Sequence, residues 1–119
     1  MHVAFSRAGG YEGGKKLLNQ ATRPTAIFAS SDMQAIGVLR ALHEAGLQVP
    51  GDVAIVTFDG SIESEFSWPP LTAVRQPTRL MAEAAVEALI GDSRTQSARY
   101  LSFPTELVVR ISCGCGVLG

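Results

Sequence analysis

Polar residues follow two apolar segments at the points where we predict that the chain leaves a sheet. The sequence Ser-Ser-Asp at 30–32 follows the apolar run 26–29, and Asp59 follows the apolar run 53–58. Both runs are short and almost wholly apolar, which indicates buried strands. Ligands of open parallel sheets lie beyond the carboxyl ends of the strands. Two hydroxyls and two carboxylates at such ends therefore indicate a site for a small polar molecule.

Part of this polar set has a second explanation, the start of a helix. Ser31 and Gln34 have the S-x-x-Q spacing of a capping box, and Asp32 places negative charge at the positive end of the helix dipole. Capping alone explains Ser31 and Asp32 as well as a ligand does. Asp59 has no obvious helix to cap, so a ligand-binding role is the better explanation for that residue.

The elements that position these residues form a strand–helix–strand unit. Apolar residues recur at helical spacing from Met33 to Leu42, Gly46 suits the helix end, and a Pro-Gly turn at 50–51 leads into the second strand. Such a unit has a right-handed crossover and two parallel strands. The predicted class is α/β, a parallel Rossmann-like sheet with flanking helices. Further strands are predicted at 71–74, 99–103 and 106–111, helices at 10–20 and 78–90, a strand end at 3–5, and a loop or single helical turn at 60–70.

Composition sets limits on the class of protein. The chain has 119 residues, 46% hydrophobic and 18% charged, with a net charge of −1, which fits one globular domain. The basic residues are scattered, so these residues by themselves carry no electrostatic footprint for nucleic acid. No apolar run approaches the roughly 18 residues of a membrane span or resembles a signal peptide, and we expect a cytoplasmic protein.

Motifs of common enzymes are absent. The sequence has no G-x-S-x-G, P-loop or G-x-G-x-x-G pattern. The best enzymatic alternative is a magnesium ion held by Asp32 and Asp59 for phosphoryl chemistry, which usually also needs a lysine at another strand end. The only lysines, Lys15 and Lys16, lie together on the first predicted helix. We therefore predict a protein that is not an enzyme and has no cofactor.

The two cysteines form a C-x-C motif near the C-terminus. A metal site at Cys113 and Cys115 would need further ligands, and the only histidines, His2 and His43, lie far away in sequence. We expect no metal site and two reduced thiols in a flexible tail, 113–119.

Three large apolar residues lie among serines and acids after Asp59. Ile62, Phe66 and Trp68 follow no steady period, and a segment of this kind needs cover. We predict that they face a partner. The alternative is that they pack against their own domain.

Three segments in this order resemble one known family. The run PTAIFASSDMQAIGVLRALHEAGLQVPGDVAIVTFD, then PPLTAVRQP, then FPTELVVR resembles the C-terminal part of the effector-binding core of LacI/GalR-type bacterial transcription regulators. The resemblance implies a type I periplasmic-binding-protein fold, in which two lobes enclose a sugar, nucleoside or similar effector. It also implies a dimer that controls operator binding allosterically through an N-terminal helix-turn-helix.

The resemblance also implies roles for individual residues. Phe5 matches an aromatic residue that packs on the effector, Asp59 the strand-end acid that hydrogen-bonds it, Ser31 a polar residue facing the cleft, and Gln76 a residue near the hinge. Ser31 stands where asparagine is usual, which shortens the polar reach. Thr57 stands where glycine is usual, which would crowd the strand. Homodimerisation is expected through Ile62, Phe66 and Trp68.

The same resemblance divides the chain. Residues 1–76 would belong to the C-terminal lobe, 77–103 to a helix and strand of the N-terminal lobe, and 104–112 to a strand returning to the C-terminal lobe. The DNA-binding headpiece, the hinge helix and most of the N-terminal lobe are expected to precede residue 1, so operator binding would need that missing part. The alternative is a sugar-binding protein of an ABC-type transport system, which shares the fold.

This division leaves one predicted helix without a partner. On the helix at 78–90, the side chains of Leu80, Met81, Ala85 and Leu89 would be exposed to solvent. Each large side chain would then forfeit roughly 1.5–3 kcal/mol of burial free energy. We therefore expect the helix to dock on a second copy of the chain, to fold back on its own sheet, or to pack on the missing lobe as a separate polypeptide.

Overall fold

The computed structural model describes residues 1–91 and 100–115. Its helices and strands alternate along the chain, as an α/β architecture requires. In chain order they are α1 Arg7–Leu18, β1 Ala26–Ala29, α2 Asp32–Glu44, β2 Ala54–Asp59, α3 Ile62–Phe66, β3 Thr72–Arg75, α4 Thr78–Ile90 and β4 Glu106–Val108.

The four strands form one sheet in the order β1-β2-β3-β4. Strands β1, β2 and β3 are parallel, with Ala26 opposite Ala54 and Val56 opposite Thr72. The predicted parallel pairing of the 26–29 and 53–58 segments is therefore confirmed. Strand β4 was predicted to join as another parallel strand, and this is wrong. Glu106, the first residue of β4, pairs with Arg75, the last residue of β3, so the chain re-enters at the carboxyl end and runs antiparallel.

Other predicted strands are shorter or absent. Of the strand predicted at 99–103, Arg99 lies outside the described residues, and residues 100–103 form no strand. Residues 3–5 also form none. The strand predicted at 106–111 ends at Val108, because the Arg110 amide donates to the Thr72 side-chain hydroxyl at 2.8 Å and not to a backbone carbonyl of β3.

Helix α2 is held between the sheet and α1. Its capping residue is Ser31, as predicted, and its buried positions include Val38, Leu39 and Leu42. Predicted core residues Met33 and Ile36 are only half-buried, because small residues of α2 turn toward α1 instead. The apolar core joins one face of α2 to the sheet and consists of Ile27, Ala29, Ala35, Val38, Leu39, Leu42, Val53, Ile55 and Leu71.

Glycines bring α1 and α2 into backbone contact. Gly9, Gly10, Gly13 and Gly14 of α1 are all buried, as close packing against neighbouring backbone requires. A Cβ atom at Gly10 would overlap the backbone of Gln34. At Gly13 the nearest atom would be a methyl carbon of the Val3 side chain, 3.2 Å away. Only the first of these contacts is with rigid backbone.

Helix α4 packs on nothing within the described chain. It has no buried residue, and Leu89 is 80% exposed while Leu80 is 54% exposed. The alternative in which this helix folds back on its own sheet is therefore wrong. Helix α2 already covers one face of the sheet at β1 and β2, and the chain leaves the sheet at Gln76. The principal dimensions, 57 × 34 × 21 Å, describe an elongated chain.

Among the helices of the described residues, none combines the length and apolar character needed to cross a bilayer.

The glycine contact gives a matched pair of substitutions on one helix. Both Gly10→Ala and Gly13→Ala should gain up to about 1 kcal/mol from helix propensity. We expect Gly10→Ala nevertheless to lower the free energy of unfolding by at least about 2 kcal/mol, because α1 must move off α2. Gly13→Ala should be neutral or stabilising, since Val3 can shift. Urea denaturation measures both, and equal effects would contradict backbone contact at Gly10.

Candidate functional site

Asp59 ends β2 in a strained conformation. Its φ is 131°, in the region that favours glycine, and strain of this kind concentrates at functional sites. The carboxylate accepts from the side-chain amide of Gln76 at 2.8 Å and from the backbone N–H of Asp32 at 3.3 Å. The Asp59 carbonyl oxygen also accepts from the Gln76 backbone N–H at 3.0 Å. The backbone and side-chain bonds together fix the carboxylate at the carboxyl edge of the sheet.

A polar cavity of about 300 Å³ lies at this edge. It is lined by Asp59, Gly60, Ser61, Arg75, Gln76 and Thr78. Gly60 has a φ of +71°, and a Cβ there would lie 2.7 Å from the Cα of Arg75, so glycine is needed for the chain to pass. The cavity offers a carboxylate acceptor, an amide and a guanidinium donor, and hydroxyls. Such a set suits a ligand with several hydroxyl groups, each of which donates and accepts.

The Asp32 carboxylate lies beneath this site and is 2% exposed. One oxygen accepts from the Thr57 hydroxyl at 3.0 Å, and the other accepts from the Ser61 backbone N–H at 2.6 Å and from the Ser61 hydroxyl. Both oxygens are thus engaged by protein donors. This is a structural role, in contrast to the magnesium alternative considered for Asp32 and Asp59.

Thr57 takes part in this network without crowding the strand. Its side chain is fully buried, and its hydroxyl contacts Asp32. The expectation that threonine in place of glycine would crowd β2 is wrong, because β2 pairs with β1 and β3 at Thr57 and the Thr57 hydroxyl donates a hydrogen bond to the Asp32 carboxylate. Burial alternates along β2, with Ile55 and Thr57 both buried. That alternation could have indicated a buried hydroxyl in need of a partner.

Ser31 lies in the helix cap. It is fully buried, and its Oγ accepts from the Gln34 backbone N–H at 3.1 Å. In a capping box, the Gln34 side chain would accept from the backbone N–H of Ser31, but here it bonds other groups. Its oxygen accepts from the hydroxyls of Ser30 and Ser31, and its nitrogen donates to the Ala4 carbonyl at 3.2 Å. The Ser31 hydroxyl therefore does not line the polar cavity.

Phe5 lies at the start of α1 and is 62% exposed. The next residue, Ser6, caps α1 by accepting from the Gly9 backbone N–H at 3.0 Å. The Gln34–Ala4 bond joins this segment to the first turn of α2, whose Asp32 amide contacts Asp59. The structure thus brings Asp59 and Gln76 into direct contact. Phe5 and Ser31 are connected to them through α2 and do not line the same cavity.

The predicted partner surface is exposed in the single chain. Ile62, Phe66 and Trp68 are 70–78% exposed, so they do not pack against their own domain, contrary to the alternative considered from sequence. Trp68 borders a largely apolar groove of about 520 Å³. The other residues lining it are Ile36, Leu39, Arg40, His43, Glu44 and Ser67.

The fold and the site define an open α/β domain with a polar site at the carboxyl edge of a parallel sheet. Residues 2–113 match the family model of the periplasmic binding protein-like domain. The chain belongs to that family, and its relatives are LacI-type regulators.

Three comparisons illustrate the relationship. The chain is 46% identical to the HTH-type transcriptional repressor MelR of Bacillus subtilis over 113 residues, which cover 93% of this chain and 33% of that repressor. It is 37% identical to the regulator CelR in complex with cellobiose, with a TM-score of 0.79, covering 92% of this chain and 34% of that one. It is 31% identical to the lac repressor dimer bound to operator and the anti-inducer ONPF, with a TM-score of 0.84, covering 93% and 34%.

The chain therefore spans about a third of the length of these regulators. The resemblance inferred from the three sequence segments is confirmed. The family model and the fold contain the segments on which that inference depended.

The Ser31 cap gives a testable stability effect. We expect Ser31→Ala to lower the free energy of unfolding by about 1 kcal/mol, because the Gln34 amide loses its acceptor in a buried site. Ser30→Ala is the matched control, since among the described residues the Ser30 hydroxyl bonds the Gln34 side chain and no backbone amide, and it should cost less than about 0.5 kcal/mol. Urea denaturation measures both variants. An equal loss at the two positions would contradict the capping role.

Proposed function

We propose that this chain is the effector-binding and dimerisation portion of a LacI-type transcriptional regulator. Its effector is a small sugar or nucleoside-like molecule, and effector binding controls operator binding allosterically through a helix-turn-helix supplied outside these residues. The protein works in the cytoplasm as a homodimer. It is not an enzyme and uses no cofactor or metal ion.

The observation that carries this proposal is the Asp59–Gln76 contact in the polar cavity. The carboxylate is pre-oriented by the Gln76 amide, so a ligand hydroxyl can donate to it with little loss of side-chain freedom. The complex of CelR with cellobiose supports a sugar as ligand, because that regulator shares the fold at 37% identity. Asp59 and Gln76 are proposed as ligand residues inside the cavity, and Phe5 and Ser31 as residues of the surrounding cleft, Phe5 through its exposed ring.

The domain division predicted from sequence forms part of the proposal. Residues 1–76 and 104–112 are the C-terminal lobe, and 77–103 belong to the other lobe. The exposed apolar side chains of α4 support this division. Leu80, Val86 and Leu89 are exposed, and an apolar surface of this kind needs a packing partner that the described residues do not supply. The sheet edge at Gln76 and Glu106 is where the chain passes between the lobes.

Dimerisation is proposed through α3 and the groove beside Trp68. Phe66 and Trp68 are aromatic anchors of the kind that dominate interfaces, and the apolar groove next to them can accept such an anchor from a second copy. The lac repressor, 31% identical, is a dimer on its operator, which supports a dimer for this chain as well.

Asp59→Asn tests the ligand site. We expect it to weaken binding of the effector by about 1–3 kcal/mol, because a hydrogen bond to a charged acceptor is replaced by one to a neutral amide. Isothermal titration calorimetry with cellobiose and with adenosine identifies which of these compounds binds and then measures the loss. Glu12→Gln is the control, as it removes an exposed carboxylate far from the cavity.

The two variants separate a site effect from a general charge effect. Unchanged affinity in Asp59→Asn, for a compound that binds the unmodified protein, would remove Asp59 from the site. Equal weakening in Glu12→Gln would show that net charge, not the cavity, sets the affinity.

Trp68→Ala tests the dimer surface. We expect the unmodified protein to sediment as a dimer at micromolar concentration and Trp68→Ala to weaken self-association by about 2 kcal/mol or more, since buried aromatic anchors carry most of an interface's energy. Leu101→Ala, another exposed apolar residue, is the control and should leave the dimer intact. A monomer unaffected by Trp68→Ala would contradict this surface.

A further inference from the structure

The C-x-C motif lies in an ordered turn beside the sheet. Cys113 is half-buried and Cys115 is exposed, and both are free thiols. Gly114 has a φ of +77°, and its N–H donates to the Ile111 carbonyl at 3.0 Å. The glycine allows the chain to reverse between the two cysteines. Residues 113–115 thus form a folded turn where the sequence led us to expect the start of a flexible tail, and residues 116–119 of that predicted tail lie outside the described residues.

The turn brings the backbone amide of Cys115 to the sulfur of Cys113. The Cys115 backbone N–H points at Cys113 Sγ from 3.2 Å, and Cys115 Sγ donates to the Cys113 carbonyl at 3.9 Å. Burial acts to raise the pKa of the Cys113 thiol, but hydrogen bonds from the Cys115 thiol, the Thr72 side chain and the Cys115 amide outweigh it, and the pKa is lowered. The hydrogen bond to Cys113, followed by burial, raises the pKa of Cys115.

The residue before this pair is a rigid anchor. Ser112 is fully buried, and its hydroxyl donates to the Ile55 carbonyl at 2.6 Å and accepts from the Thr72 amide at 2.8 Å. Its backbone accepts from the Ile55 amide at 2.9 Å and donates to the Pro70 carbonyl at 3.1 Å. Cys113 therefore has a fixed position relative to the sheet, while Cys115 reaches solvent.

We propose that Cys113 and Cys115 form a thiol–disulfide exchange site for low-molecular-weight disulfides, with Cys113 as the attacking thiol and Cys115 as the resolving thiol. The Cys113 thiolate attacks one sulfur of the small disulfide, forms a mixed disulfide and releases one thiolate. Cys115 then gives its proton to solvent, and its sulfur attacks Cys113 Sγ and releases the second thiolate. The two cysteines lose two electrons, and the small disulfide gains them to become two thiols.

The chemistry matches what such a pair requires. The thiolate is the nucleophile, and a cysteine whose thiolate accepts from an N–H donor, here Cys113, is ionised more often than its partner at neutral pH. A sensing cysteine is typically accessible and close to a resolving cysteine. In a reducing compartment the resulting disulfide is transient, so the site would respond to an oxidising change in the small-thiol pool and then return to the dithiol form.

Oxidised glutathione is the probe for this site. The reduced 119-residue protein is incubated with it at pH 7, quenched with iodoacetamide and analysed by mass spectrometry. We expect the unmodified protein to lose two hydrogens and keep no glutathione. Cys115→Ser should keep one glutathione on Cys113. Cys113→Ser should react at least about threefold more slowly than Cys115→Ser, because its remaining thiol is less ionised.

A repeat of the experiment in concentrated urea tests the dependence on the folded turn. The rate difference between the two variants should disappear there, because the hydrogen bonds to Cys113 Sγ are lost. The proposal is overturned if the unmodified protein retains glutathione as a stable mixed disulfide. It is also overturned if Cys113→Ser reacts as fast as Cys115→Ser, or if urea leaves the rate difference unchanged. Circular dichroism verifies that each variant is folded before the reaction.

Discussion

The site depends on the hydrogen bonds that the buried Asp32 carboxylate accepts. A carboxylate that is 2% exposed is tolerated only when protein donors replace water, and here the donors come from Thr57 of β2 and from Ser61 before α3. These bonds fix the first turn of α2 against the end of β2. Because the Asp32 amide in turn donates to Asp59, loss of the network would also disturb one of the two donors that hold the carboxylate proposed to bind the effector.

The second constraint is the close approach of α1 to α2. Gly10 of α1 and Gly37 of α2 allow the two helix backbones to touch, and this contact holds the segment containing Phe5 beside the first turn of α2. The exposed ring of Phe5 and the polar cavity are therefore positioned by one helix, α2, which contacts the sheet on one side and α1 on the other. Stability and site geometry come from the same packing.

Much of this arrangement follows from local sequence patterns. The capping serine, the apolar runs of β1 and β2 and the helical period of α4 each reflect interactions within a few residues, and such interactions can be predicted. The direction of β4 could not be predicted in this way, because it depends on where the chain re-enters after α4. The Thr57–Asp32 bond joins residues 25 positions apart, and the role of Arg75 in the cavity depends on the register of β2 and β3. No local pattern encodes either. For Ser31, a local pattern predicts the role that the structure shows. The capping bond keeps the Ser31 hydroxyl buried, so this hydroxyl does not line the polar cavity.

The re-entry of the chain beside β3 has a mechanical consequence. Strands β3 and β4 meet at the Arg75–Glu106 pair. The chain that leaves β3 toward α4 and the chain that returns into β4 therefore lie side by side at the carboxyl end of β3. The side-chain amide of Gln76, the first residue past β3, also donates a hydrogen bond to the Asp59 carboxylate at 2.8 Å. The carboxylate proposed to bind the effector is therefore tied directly to the connection that leads from β3 into α4.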